Sequence, residues 1–176
     1  HCANAGCDVL LLDIVPDGAE DRSVIAKGAI QQMLKSNPEM LMHKRNVKRI
    51  SAGNIEDDLL RLGDFDWVVE VIIENLDIKR SLYAKLAEHI GPDTIVSSNT
   101  STLPRSELVE GMPKEMASRF LITHFFNPPR YLPLLEVVTA AEVDESATER
   151  FSSFADERLG KRVIMCNDEP GFIAHR

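Results

Sequence analysis

Short, almost unbroken apolar runs recur along this chain, separated by longer stretches with helical spacing, and no other feature limits its fold as strongly. The runs are residues 7–13, 66–74, 94–98, 120–124, 134–138 and 162–166, with 50–52 a weaker one. They fit strands covered on both faces in a mostly parallel sheet. Helical character falls on residues 17–35, 39–47, 75–89, 103–108 and 144–159. Leu76, Ile78, Leu82, Leu86 and Ile90 mark one apolar helical face. Asn37-Pro38 and Gly91-Pro92 end two of these stretches, while Asp144 and Gly160 read as the N-cap and closing glycine of the last. Residues 1–6 read as the final turns of a helix closed by Gly6. A helix end that feeds a strand without any start signal points to an earlier strand and loop ahead of His1.

Strands joined by helical crossovers make an open α/β sheet, expected here as one domain over residues 1–176 with a single sizeable core. The formal net charge of −8 argues against nucleic acid as the partner, because duplex contacts need a basic face. The apolar runs are far too short for a membrane span, and the first residues carry no signal-peptide pattern. Cys2, Cys7 and Cys166 are odd in number and lack metal or disulfide spacing, which fits reduced thiols in a cytoplasm and no metal.

Open α/β sheets bind ligands at the carboxyl ends of their strands. Asp13, Glu74, Ser101 and His124 are the polar residues at or just past such ends. A carboxylate like Asp13 either accepts hydrogen bonds from an adenosine ribose, which favours NAD over NADP, or simply ends a strand as a turn former. His124 and Glu136 form a second constellation. If the chain turns back at Asn127-Pro128-Pro129, the two side chains can meet as a histidine base oriented by a carboxylate; otherwise they are a surface histidine and a strand glutamate. Glu136 stands in the apolar run Leu134-Leu135-Glu136-Val137-Val138, where a carboxylate needs a partner or a solvated face.

These residues carry a resemblance. His124-Phe125-Phe126-Asn127-Pro128-Pro129 followed by Leu134-Leu135-Glu136-Val137-Val138 resembles the HFFNP…LVE signature of the L-3-hydroxyacyl-CoA dehydrogenase family. Val69-Glu70-Val71-Ile72-Ile73-Glu74-Asn75-Leu76, Ser98-Asn99-Thr100-Ser101-Thr102-Leu103 and Asp168-Glu169-Pro170-Gly171-Phe172-Ile173 agree in order. The wording from Asn127 to Leu132 is similar to long bacterial members with further domains.

The resemblance implies a Rossmann-type doubly wound sheet, NAD as cofactor and an acyl-CoA substrate oxidised at its 3-hydroxyl in fatty-acid β-oxidation. It implies His124 as general base, with Glu136 fixing the imidazole tautomer. Ser101 would bond the reacting oxygen or the nicotinamide ribose, and Asn127 would lie near the nicotinamide. Asp13, Glu74 and Lys79 would contact NAD, with Lys79 also near CoA. It further implies a homodimer or multienzyme assembly through a helical C-terminal domain.

The chain departs from the family pattern in two ways. No G-x-G-x-x-G loop precedes the Asp13 strand, so the sheet is expected to lack its first strand and glycine loop, and this stretch alone to be inactive. His175 stands where the family has asparagine. Two alternatives to the acyl-CoA reading stay open: a related hydroxy-acid or 3-hydroxybutyryl-CoA dehydrogenase, and a non-catalytic fragment that binds nucleotide or a partner. Lys44, Arg45, Lys48 and Arg49 either attract CoA phosphates or form a solvated face. His43 and His89 read as solvated, Met33, Met40 and Met42 as core fillers, and Trp67 as packed against a helix.

Overall fold

The structure, a computed structural model, describes residues 1–174. The chain divides into two compact units, His1–Leu60 with Pro128–Tyr131, and Arg61–Asn127 with the chain from Leu132 onward. Both are α/β, and among the described residues all strand pairings but one are parallel. Among the described residues no helix is long and apolar enough to cross a membrane.

In the first unit, strands β1 (Val9–Asp13) and β2 (Ile50–Asn54) pair in parallel with Val9 opposite Ile50 and Asp13 opposite Asn54. Helix α1 (Val24–Met33) connects them, shorter than the expected 17–35 because Asp17-Gly18 is already a turn. Residues 1–6 form turns that end as a helix does. The Gly6 N–H reaches the Ala3 carbonyl and the Cys7 N–H the Cys2 carbonyl, with Gly6 at φ +85°, a Schellman closure that glycine enters without a Cβ penalty. Residues 39–47 are not a helix; a 3-10 turn over Lys44–Arg49 replaces it. Met40 and Met42 are exposed rather than core, since their loop is held by backbone bonds. The Asn4 side chain bonds the Met40 carbonyl and the Met42 N–H, and Arg130 and Tyr131 reach the Glu39 carbonyl at 2.6 and 2.7 Å.

The second unit is built on strands β3 (Trp67–Glu70), β4 (Ile95–Ser98), β5 (Phe120–Phe125), β6 (Leu134–Val138) and β7 (Arg162–Cys166), hydrogen-bonded in that order. Among the described residues only β5 and β6 run antiparallel. Helices α2 (Leu76–Ala87), α3 (Arg105–Leu108), α4 (Lys114–Ala117) and α5 (Glu145–Glu157) connect them. Asn75 caps α2 by accepting the Ile78 N–H at 3.0 Å.

The core joins Ile95, Leu121, Leu135 and Val137 of the sheet to Ala147, Phe151 and Ala155 of α5. Trp67 packs edge-on against Phe151 and Phe154 of that helix. Its indole N–H donates to Ser97 Oγ at 2.8 Å, so the polar atom of this half-buried ring keeps a partner. The apolar run 66–74 is a strand only as far as Glu70. Val71 and Ile73 lie exposed in the connection to α2, so Glu70, not Glu74, ends β3.

Candidate active site

The antiparallel register of β5 and β6 sets His124 opposite Glu136. Directly opposed residues in such a pair have side chains on the same face. His124 Nδ1 and Glu136 Oε2 are 2.8 Å apart, both side chains buried. With the carboxylate as acceptor, this contact would place the hydrogen on Nδ1 and leave Nε2 as the basic ring nitrogen. The ring lies between Phe126, at 4.7 Å between centroids, and Phe172, at 5.8 Å. The other carboxylate oxygen of Glu136 accepts the backbone N–H groups of Ile173 and Ala174, each at 3.0 Å. Three donors thus fix the plane of one buried carboxylate.

A second cluster forms past β3 and β4. Glu70 is buried and accepts from four groups: Lys79 Nζ at 2.7 Å, the Ile72 N–H at 2.6 Å, Tyr83 OH at 2.6 Å and Ser98 Oγ at 2.7 Å. Burial, reinforced by the Glu70 charge, pushes the Tyr83 phenol well above its ordinary range. Lys79 is only 1% exposed. Besides Glu70 it meets Glu74 Oε2 at 3.2 Å and the Ile72 carbonyl at 3.4 Å, so each ammonium proton has an acceptor.

Glu74 is 37% exposed and grips the loop after β4. Its Oε1 accepts from the Thr100 hydroxyl, the Ser101 N–H at 3.0 Å and the Thr102 hydroxyl at 3.2 Å. Burial alone would push its carboxyl up. The bonds from Thr100, Ser101 and Lys79 outweigh that and hold it below its ordinary value.

The second unit therefore brings two groups together: His124 with Glu136, and Ser101 with Glu74 and Lys79. Asn127 is exposed just past β5. Asp13 belongs to the first unit, where it ends β1 half-buried and its Oδ1 accepts the Ile14 N–H at 2.8 Å. Lys44, Arg45, Lys48 and Arg49 are exposed on their turn, and Arg49 pairs with Asp8 at 3.2 Å. His175 lies outside the described residues.

Residues 1–169 match the family model described as "3-hydroxyacyl-CoA dehydrogenase, NAD binding domain". The chain belongs to that family. As a member it is 45% identical over 174 residues to the "Probable 3-hydroxyacyl-CoA dehydrogenase" of Deinococcus radiodurans, covering 99% of this chain and 50% of that protein. It is 33% identical over 161 residues to the "Fatty acid oxidation complex subunit alpha" of Pseudomonas syringae pv. syringae, covering 86% of this chain and 22% of that one.

Among solved structures, M. tuberculosis FadB2 superposes with a TM-score of 0.81 at 28% identity, over 98% of this chain and 60% of that one. The 3-hydroxybutyryl-CoA dehydrogenase of Escherichia coli superposes at 0.78 and 29%, over 98% of this chain and 35% of its own. The NAD-binding domain thus spans about half the length, or less, of the curated relatives it matches. Its α/β architecture is the Rossmann type that the sequence pattern and resemblance suggested.

Sequence reading of this NAD-binding domain missed Glu70 and Tyr83. The signal was present for Glu70, a carboxylate closing an otherwise apolar strand, but the long apolar run drew attention to Glu74. It also missed the contact between Glu136 and the backbone of residues 173–174, for which side-chain identity carries no signal.

Proposed function

We propose that this chain is the NAD-binding domain of a dehydrogenase that oxidises the 3-hydroxyl of an L-3-hydroxyacyl-CoA thioester to a 3-keto group, a step of fatty-acid β-oxidation. The observation that carries this reading is the 2.8 Å contact of His124 with Glu136. Oxidation of a hydroxyl to a carbonyl requires loss of the O–H proton, and a base held in one tautomer can take it. His124 Nε2 accepts that proton, while Glu136 keeps the hydrogen on Nδ1 and offsets the charge of the imidazolium. Bound NAD supplies the hydride acceptor at its nicotinamide ring. The Ser101 hydroxyl bonds the reacting oxygen or the nicotinamide ribose, and Asn127 orients substrate and cofactor. Both are neutral, so neither adds charge beside a developing carbonyl.

Asp13 fits the adenosine ribose. A half-buried carboxylate at the carboxyl end of a parallel strand is an acceptor for a vicinal diol, and its charge repels a 2′-phosphate. Glu74 is exposed enough to reach cofactor; Lys79 is enclosed and acts through Glu74. The names of two relatives, a fatty acid oxidation complex subunit and a trifunctional enzyme, support assembly with further domains or subunits, and a cytoplasmic location is part of the same reading.

A second reading, a short-chain enzyme acting on 3-hydroxybutyryl-CoA, is favoured by the likeness to the Escherichia coli structure of that name. Both are tested by incubating the complete gene product with NAD and short-, medium- or long-chain 3-hydroxyacyl-CoA, or with free 3-hydroxy acids, and following NADH absorbance. Turnover of CoA thioesters with the free acids inert is the expected result, and the chain-length optimum separates the two readings. Turnover of the free acids alone, or of nothing, contradicts both.

A further inference from the structure

The segment after β7 makes contacts that a simple exit from the sheet does not require. Asp168 accepts the backbone N–H groups of Arg105 and Ser106, the latter at 2.8 Å, and so holds the start of α3 directly after the Ser101 loop. The Phe172 N–H donates to the Glu169 carbonyl at 3.0 Å. Phe172 has φ +48°, a left-handed conformation uncommon for a bulky residue and kept only where the surroundings over-determine it. Phe172 is 1% exposed, and its ring meets the His124 imidazole at 5.8 Å between centroids, tilted by 54°. The turn made this way aims two successive N–H groups, of Ile173 and Ala174, at one oxygen of Glu136, a backbone concavity suited to an anion.

We propose that residues 168–174 are a strap that positions the His124–Glu136 pair, with Phe172 as its central positioning residue. The strap grips the carboxylate from the side opposite the imidazole and closes the ring from water on one face. Glu136 can swing away from His124 only if it breaks two backbone hydrogen bonds. Asp168 ties the same strap to the entry of α3, so the imidazole pair and the loop carrying Ser101 share one anchor. The strap's geometry stands without the dehydrogenase reading; its effect on turnover rests on that reading.

The test uses the full chain labelled with ¹⁵N-histidine. The Nδ1–H of His124 should give a downfield proton resonance that exchanges slowly with water, assigned by its loss in His124→Gln. In Phe172→Leu, which keeps apolar bulk but removes the aromatic ring beside the imidazole, exchange of that proton should quicken about tenfold, and the ¹⁵N shifts should move toward a tautomer mixture. Asp168→Asn, which touches neither member of the pair, should shift both readouts in the same direction to a smaller degree. Trp67 fluorescence reports whether the core is intact, and if Phe172→Leu does not fold, Asp168→Asn decides.

Unchanged exchange and unchanged tautomer in the folded variants would overturn the strap. In the complete gene product, Phe172→Leu should lower kcat about tenfold with the KM for NAD within about twofold. Absence of any wild-type turnover would remove the dehydrogenase reading while leaving the exchange result to judge the strap.

Discussion

Lys79 and Glu70 form an ion pair at 2.7 Å in which both side chains are almost wholly enclosed. The pair joins α2 to the end of β3, and through Glu74 it reaches the loop that carries Ser101. A buried pair of this kind is a poor source of net stability, yet removing one partner strands a charge.

Lys79→Met should therefore lower unfolding free energy by about 3–5 kcal/mol, and Glu70→Leu by a similar amount. The double variant should lose clearly less than the sum, because no uncompensated charge remains. Urea unfolding of all four proteins checks this. Additive losses would mean that the two groups stabilise the fold independently.

The ionisations in this cluster give opposite pH signatures. The Tyr83 phenol is pushed up by burial and by the Glu70 charge, so the folded state holds that proton more tightly than the unfolded chain. Its contribution is fully present at neutral pH and is lost as pH rises above about 10, where an exposed phenol ionises. Glu74 is held below its ordinary value, so its contribution is present at neutral pH and fades as pH falls through the acid range. Melting temperature against pH should therefore drop at both ends, and Tyr83→Phe should remove part of the alkaline drop only. Identical alkaline limbs in Tyr83→Phe and wild type would contradict the assignment.

The first unit holds a tight approach at Gly53. A Cβ there would come within 2.5 Å of Asp58 Oδ2 and 2.8 Å of Leu12 Cδ2. Asp58 is not readily displaced, since its carboxylate accepts the Asn54 N–H at 2.8 Å. Gly53→Ala should destabilise the protein by about 1–3 kcal/mol, as overpacking does. Thermal unfolding measures it, and a neutral result would show that Asp58 moves aside freely.

Different parts of the molecule were legible in the sequence for different physical reasons. Strand positions followed from runs such as 94–98 and 134–138, whose four or five residues find partners on both edges. The His124–Glu136 contact was legible because a carboxylate inside Leu134-Leu135-Glu136-Val137-Val138 needs a partner, and antiparallel pairing supplies one. The run 66–74 misled, because hydrophobicity does not say where pairing stops: Val71 and Ile73 are as apolar as Val68 yet lie outside the strand. The 39–47 stretch misled in the other direction. Its backbone is committed to Asn4, Arg130 and Tyr131, long-range partners that local spacing cannot register. The grip of Ile173 and Ala174 on Glu136 was illegible because every residue type except proline offers the same N–H.

The pairing of imidazole and carboxylate is tested most directly by His124→Gln in the complete gene product, with kcat for 3-hydroxyacyl-CoA oxidation and the dissociation constant for NAD measured side by side. Glutamine keeps size and polarity but cannot act as a base near neutral pH, so kcat should fall by about 10²–10⁴-fold while NAD affinity stays within about twofold. Turnover near the wild-type rate in that variant would contradict the account.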